Sequence, residues 1–267
     1  MNLGYELIGS GSTKVIVLHD WFCDHTSYTP MFPYLNQREF QYAFLDMRGY
    51  GQSKEAKGTY ILDESTQDVL DTADQLGWDQ FHLIGYSMTG LVAQNVMAVA
   101  QNRVKSIVAI GPVAADGFSA GAAESVFAFM TAAALGDDNN ATQIAHMMTS
   151  SKYDREWADY KVKRWRDTST AEARVGYLSM FVKSNILAKI KGLPTPILVI
   201  CASEDHEGLR KATMEATFGK WFPNAEILEI TNSGHNPMQE VPVSLATAIN
   251  RYLSKVNECR QSMQGSA

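Results

Sequence analysis

Six short apolar runs punctuate the chain, and their spacing constrains its fold more than any single motif. They are KVIVLH (14–19), QYAFLD (41–46), FHLIG (81–85), VKSIVAIG (104–111), PILVICA (196–202) and AEILEI (225–230). Each is partly β-branched and close to continuously apolar, the pattern of strands buried on both faces. Between them lie stretches with helical spacing. In DESTQDVLDTADQLG, Val69, Leu70, Ala73 and Leu76 share one stripe, and Asp63 is placed to cap the helix start. Residues 88–100 and 241–255 read the same way. Strands alternating with helices imply an α/β fold, a mostly parallel, doubly wound sheet covered on both faces.

One segment breaks the rhythm. From residue 114 to 188 no strand-like run occurs, only helical patterns separated by GDDNN, SSKYD and DTSTAE. The expected organisation is therefore a core of residues 1–113 and 189–267 with a helical insertion at 114–188, about four helices lying over the C-terminal edge of the sheet. Ligands of open α/β sheets bind at that edge. The insertion is rich in aromatic residues and methionine, which suit a compact apolar ligand as well as they suit the insertion's own core. Phe127, Met130, Trp157, Trp165 and Phe181, with Trp21 and Phe22 from the core, are candidate pocket residues.

Composition removes several function classes. The chain carries 23 basic against 29 acidic residues, a net charge of −6, with no run of Lys or Arg. Nucleic acid and anionic membrane are therefore not expected partners. No apolar run reaches the roughly 20 residues a bilayer span needs, and the start lacks the pattern of a signal peptide. Cys23, Cys201 and Cys259 show neither a disulfide framework nor zinc spacing, so a reducing, cytoplasmic setting without a metal is expected.

The chemistry centres on HLIGYSMTG (82–90). Ser87 follows an expected strand and precedes an expected helix, the context of a nucleophile elbow. The motif departs from G-x-S-x-G, because Thr89 stands at the fifth position and the second glycine comes one residue late, as Gly90. A β-branched Thr89 should crowd the contact between strand and helix. A serine opening a helix is, on its own, usually just a cap. Acyl transfer also needs a base, an orienting carboxylate and oxyanion donors. His235, in EITNSGHNPMQEVP, follows the last expected strand, whereas His82 reads as a structural histidine and His25 and His146 have no obvious partner. Asp205, with Glu204 beside it, follows the strand PILVICA. Ser, Asp, His is the chain order of α/β-hydrolases.

With these residues in view, the sequence resembles the small, capped members of the α/β-hydrolase fold family, which include many bacterial esterases, lactonases and cofactor-free perhydrolases. The resemblance covers nearly the whole chain and rests on VIVLHDWF (15–22), FLDMRGYGQS (44–53), HLIGYSMTG, ILVICASED (197–205) and SGHNPMQEVP (233–242). It implies a Ser87, Asp205, His235 triad and an oxyanion hole made by the backbone N–H groups of Trp21 and Met88. It selects Asp205 over Glu204 and requires no cofactor. D-x-R-G-x-G-x-S, matched at Asp46, Arg48, Gly49, Gly51 and Ser53, is implied to be structural.

A second departure is Asp20, which replaces the glycine of the family's H-G. Inside the hole its carboxylate would oppose the developing negative charge; it is expected to turn outward, bonded to backbone or to Arg48, because a glycine position in a loop often tolerates Asp or Asn. The expected activity is hydrolysis of a small apolar or aromatic carboxylic ester or lactone. The alternatives are C–C bond hydrolysis, perhydrolysis, or a slow, receptor-like role. Arg164 or Arg166 could hold a substrate carboxylate, or could simply face solvent at a helix C-terminus, where the macrodipole favours cations.

Overall fold

A computed structural model of the chain describes residues 2–117 and 124–264, with side chains through Ser262. Seven strands form one sheet: β1 (Tyr5–Ile8), β2 (Thr13–Leu18), β3 (Phe40–Leu45), β4 (Phe81–Tyr86), β5 (Val104–Ile110), β6 (Ile197–Ala202) and β7 (Ala225–Ile230). Their order is β1-β3-β2-β4-β5-β6-β7. Of these seven, β1 alone is antiparallel to its neighbour. The six apolar runs are β2 to β7, each within one residue or so of its expected bounds. The sequence reading missed β1, because four half-exposed residues at a sheet edge carry no apolar run.

Every residue of β4 and β6 is buried, as two-sided coverage demands. Helices α1 (Leu62–Gln75) and α2 (Met88–Val99) cover one face. The long α11 (Pro242–Gln264) and a run of 3₁₀ turns over His25–Tyr34 cover the other, where Leu245, Ile249 and Leu253 pack among Val17, Tyr42 and Ile84. Asp63 sits in the first turn of α1 rather than at its cap, which is Ile61. The helix starts before it because Glu64 already satisfies the entering backbone, accepting from the N–H groups of Thr59 and Tyr60 at 2.9 and 2.7 Å.

Between β5 and β6 run α3 (Glu124–Leu135), α4 (Asp138–Met148), α5 (Arg155–Thr168) and α6 (Ala171–Lys183), followed by the short α7 (Leu187–Ile190). Asp137, Asp154 and Thr170 cap α4, α5 and α6 by accepting backbone N–H bonds. Buried Arg174 ties three of these helices together, donating to the carbonyls of Ala134 and Ser169 at 2.8 and 3.0 Å. Short helices α8 (Lys211–Ala216), α9 (Phe218–Trp221) and α10 (Pro237–Glu240) complete the connections. No helix among the described residues is long and apolar enough to cross a membrane.

The loop after β3 explains the D-x-R-G-x-G-x-S pattern. Asp46 accepts from the backbone of His25 and Gln52, each at 2.8 Å, and pairs with His25 Nδ1 at 2.7 Å. His25 thus has a partner that its isolated position in the sequence concealed. A Cβ on Gly51 would lie 2.2 Å from the Asp46 carboxylate, so glycine is required there. Arg48 forks onto Asp68 with bonds of 2.6 and 2.7 Å, and Ser53 accepts the Gly4 N–H. His82 is buried between Ser106 and Asn257, at 2.7 and 3.0 Å, and burial pushes its pKa down to about 3.

Candidate active site

Five consecutive strand ends, β2, β4, β5, β6 and β7, converge on one cavity of about 370 Å³. Asp20, Trp21 and Phe22 follow β2, Ser87 follows β4, Val113 follows β5, Asp205 follows β6, and His235 follows β7. Val126, Phe129 and Met130 from α3, Ile144, Met147 and Met148 from α4, and Phe181 from α6 supply the opposite wall. A larger open groove, about 650 Å³ between β7 and α11, contains none of the candidate catalytic groups.

Ser87 holds φ 51° and ψ −112°, a conformation that non-glycine residues rarely adopt and that tends to mark functional turns. The turn is fixed on both sides, by Ser87 N–H to the Ile110 carbonyl (2.9 Å) and Val113 N–H to the Ser87 carbonyl (3.0 Å). Close approach explains the glycines. A Cβ on Gly85 would sit 2.5 Å from the Thr89 carbonyl oxygen, and one on Gly90 would sit 2.5 Å from Pro112 Cβ. Thr89, expected to crowd the contact between strand and helix, is instead accommodated there by polar bonds. Its hydroxyl accepts the Tyr86 N–H at 3.0 Å and donates to the His19 carbonyl at 2.8 Å. The branched side chain is thus held by polar bonds between the elbow and the loop after β2.

His235 Nδ1 lies 2.7 Å from Asp205 Oδ2, and both residues are buried. Asp205 Oδ1 accepts the His206 N–H at 2.7 Å, whereas Glu204 pairs with Lys152 at 2.5 Å. That division separates the two adjacent acids. The backbone of His235 is clamped from two directions. Its N–H donates to the Met148 carbonyl at 2.5 Å, and its carbonyl accepts the Tyr86 hydroxyl at 2.6 Å. Gly234 permits the first contact, since a Cβ there would meet the Met148 carbonyl oxygen at 2.5 Å.

Asp20 overturns the outward arrangement expected for it. The carboxylate points into the cavity, 3% exposed. Oδ1 accepts the Met88 N–H at 3.1 Å, and Oδ2 lies 3.5 Å from His235 Nε2. The physical reason is the availability of partners: Arg48 is committed to Asp68, while Met88 N–H and the imidazole face Asp20. Burial disfavours the charged imidazole, but the two carboxylates, Asp205 and Asp20, outweigh it and push the His235 pKa up to about 10. Ser87 Oγ makes no hydrogen bond among the described residues, and neither does the backbone N–H of Trp21.

Four expected pocket residues lie elsewhere. Phe127 packs under Lys183, and Trp157 packs between Tyr153 and Lys161. Trp165 stacks on Phe22 at 4.7 Å and so supports the cavity wall without reaching the cavity. Arg164 donates to Thr26 at 2.7 Å and pairs with Asp24 at 3.3 Å, beside a separate cavity of about 60 Å³. Arg166 bonds the Ala133 carbonyl at the C-terminal end of α3, a structural use. Trp21, Phe22, Met130 and Phe181 do line the cavity. Val113, Val126, Ile144, His206 and Leu209 were not anticipated there, and Phe129, Met147 and Met148 only as part of the insertion's general aromatic and methionine content.

Known proteins share this arrangement of strands and loops. The chain is 24% identical over 254 residues to a pimeloyl-[acyl-carrier protein] methyl ester esterase of Klebsiella pneumoniae, covering 91% of this chain and 94% of the esterase. It is 26% identical over 260 residues to a dihydrolipoyllysine-residue acetyltransferase component of the acetoin cleaving system of Pseudomonas putida, covering 94% of this chain and 66% of that protein. An enol-lactonase of Burkholderia xenovorans LB400 superimposes with a TM-score of 0.81 at 21% identity, over 94% of this chain and 96% of the lactonase. The family model for the alpha/beta hydrolase fold matches residues 14–240, from the first parallel strand through the loop that carries His235. The chain therefore belongs to the alpha/beta hydrolase family.

Proposed function

We propose that the protein is a serine hydrolase that cleaves small, uncharged carboxylic esters or lactones. One observation carries this reading: Ser87, strained at φ 51°, opens into the same apolar cavity as the His235–Asp205 pair. In the cycle, Ser87 Oγ attacks the substrate carbonyl and His235 takes its proton. Asp205 holds the imidazole through Nδ1 and stabilises its charged form. The carbonyl oxygen takes up negative charge against the N–H groups of Trp21 and Met88. The C–O bond then breaks, His235 protonates the leaving alcohol, and water hydrolyses the acyl-enzyme by the reverse route. Helices α3, α4 and α6 act as the cap that keeps water from the acyl group.

The lining supports the substrate class. Among the described residues no Lys or Arg lines the cavity, whereas Asp20 and Asp205 do. A carboxylate-bearing substrate, such as a C–C hydrolase of diketo acids would use, has no Lys or Arg to receive it, because Arg164 is engaged by Asp24 and Thr26 outside the cavity. The methionines and Phe129 suit a compact alkyl or aryl acyl chain.

A fluorophosphonate probe and p-nitrophenyl acetate and butyrate test the reading together. The expected result is covalent labelling of Ser87, turnover of both esters, and loss of both in Ser87→Ala by several orders of magnitude. Equal activity of the wild type and Ser87→Ala would remove it.

A further inference from the structure

In the resting arrangement one carboxylate engages two parts of the acyl-transfer machinery. Asp20 Oδ1 takes the Met88 N–H that a substrate oxyanion needs, and Asp20 Oδ2 faces the Nε2 that must accept the serine proton. Asp20 is also firmly placed. Its carbonyl accepts His19 Nδ1–H at 2.8 Å and Cys23 N–H at 3.1 Å, while His19 Nε2 accepts the Met47 N–H at 3.0 Å. Thr89 holds the His19 carbonyl from the elbow side. Phe22, two residues on, sits at φ 66°, so the loop keeps a strained form that its surroundings enforce.

Left ionised, Asp20 would be harmful to acyl transfer. It would oppose the oxyanion and hold His235 as an imidazolium unable to act as a base. Both difficulties are removed if one proton moves from His235 Nε2 to Asp20 Oδ2 and the new O–H then turns away from Nε2 toward the carbonyl oxygen. The imidazole becomes neutral and able to accept the Ser87 proton. The carboxylic acid, having an O–H, can donate to the carbonyl oxygen it previously repelled. A neutral carboxylic acid serves as an oxyanion donor where an apolar site keeps it protonated. Seating an apolar acyl group favours the transfer, because excluding water raises the cost of keeping a separated ion pair.

We propose that Asp20 is a catalytic residue of the serine hydrolase reaction, receiving the His235 proton when substrate binds and then hydrogen-bonding the oxyanion as a neutral acid. This rests on the serine hydrolase reading above. The step conserves charge. Before it, Asp20 and Asp205 are carboxylates and His235 is an imidazolium; after it, Asp20 and His235 are neutral and Asp205 remains a carboxylate. The net charge is one negative in both states. Neutral Nε2 then takes the Ser87 proton as the Oγ–C bond forms and the carbonyl electron pair moves onto oxygen. Met88 N–H passes from Asp20 to that oxygen, and Trp21 N–H joins it.

The pH dependence separates this role from that of a plug. The other titratable groups around Asp20 are Cys23, Tyr28, Tyr50 and Tyr86, all buried with pKa values pushed up, and the one further charge at the imidazole is Asp205. The proton shared by Asp20 and His235 is therefore the one whose loss matters. The working enzyme needs it, so activity should persist through neutral pH and fall as the pH rises through about 10, the value to which His235 is pushed. Without the Asp20 carboxyl the ordinary requirement returns: activity needs an unprotonated imidazole and should rise with pH and stay high.

The test compares the wild type, Asp20→Asn and Asp20→Gly for kcat on p-nitrophenyl butyrate from about pH 5 to 10.5, a range spanning the ordinary and the raised imidazole values, with the spontaneous rate subtracted. Fluorophosphonate labelling of Ser87 and thermal melting are measured in parallel. The expected result is a wild-type profile that falls in the alkaline range and variant profiles that rise and plateau. At neutral pH both variants should have kcat lower by roughly 10- to 100-fold, below the loss of about 10²–10³ for a whole oxyanion donor because the two N–H groups remain. Two outcomes overturn the proposal while leaving the serine reading intact: a wild-type rate that climbs through the alkaline range, or an Asp20→Gly enzyme faster than wild type at neutral pH, the mark of a plug. Absence of Ser87 labelling and turnover in all three folded proteins removes the serine reading and the proposal with it. Asp20→Asn, nearly isosteric, keeps the comparison valid if the glycine variant melts early.

Discussion

The Thr89 hydroxyl donates to the His19 carbonyl at 2.8 Å and accepts the Tyr86 N–H at 3.0 Å, joining the turn that holds Ser87 to the loop that carries Asp20 and Trp21. His19, Tyr86 and Thr89 are all fully buried, so water cannot substitute for either bond. Thr89, at the position that the G-x-S-x-G pattern gives to glycine, thus fixes the elbow against that loop together with the Met88 N–H bond to Asp20.

Thr89→Val keeps the shape and removes both bonds. It leaves a buried N–H and a buried carbonyl unpaired, at a cost of about 1–3 kcal/mol each in the worst case. The expected outcome is a lower melting temperature together with a kcat reduced at least tenfold on p-nitrophenyl butyrate. Unchanged kcat in a destabilised protein would mean that the junction serves stability alone.

Gly234 is where the helical insertion meets the loop that carries His235. An alanine Cβ there would meet the Met148 carbonyl oxygen at 2.5 Å and Thr149 Cα at 2.9 Å, both backbone atoms that cannot swing aside. Gly234→Ala should displace His235, whose N–H bonds that same carbonyl. A displacement of about 1 Å costs on the order of 10²-fold in rate. Steady-state kinetics should show the fall in kcat with little change in KM.

Acyl-chain preference should follow the α3 wall. Phe129→Ala and Met130→Ala enlarge the cavity and should shift the optimum from acetyl or butyryl toward hexanoyl or longer esters, read as kcat/KM along a chain-length series. Arg164→Ala, outside the cavity, should leave that series unchanged.

His82 should contribute to acid sensitivity. Its pKa is pushed from 6.5 to about 3 by burial, so the folded state keeps it neutral while the unfolded chain takes up a proton. The stability it confers is present above pH 6.5 and is lost as the pH falls from 6.5 toward 3. At about 1.36 kcal/mol per unit this is on the order of 4–5 kcal/mol. Denaturant unfolding against pH should be steeper over that window for the wild type than for His82→Gln. Equal slopes would show that the ring is not protonated on unfolding.

Much of this was open to a reader of the sequence. Ser87 and Asp205 follow nearly continuous apolar runs and His235 follows the strand-like AEILEI, and parallel strands connected by helices deliver all such positions to one edge. Chain order and local context therefore place the three groups on that edge without coordinates. The short β1 escaped notice because nothing in four half-exposed residues distinguishes an edge strand from a loop.

Orientation had to wait for the tertiary structure. On α3, Val126, Phe129 and Met130 form the i, i+3, i+4 stripe that faces the cavity, while Phe127, turned roughly 100° from Val126, lies against Lys183. A helix that is apolar nearly all round carries no sign of which face meets the ligand. Asp20 is the sharper case. Its position beside the oxyanion hole follows from the H-D-W stretch, but the direction of its carboxylate depends on long-range partners. Asp68, 20 residues along the chain, had already claimed Arg48, whereas Met88 and His235 arrived from β4 and β7 with donors to offer. The sequence determined which groups reach the edge, and the packing of distant elements decided which way they point.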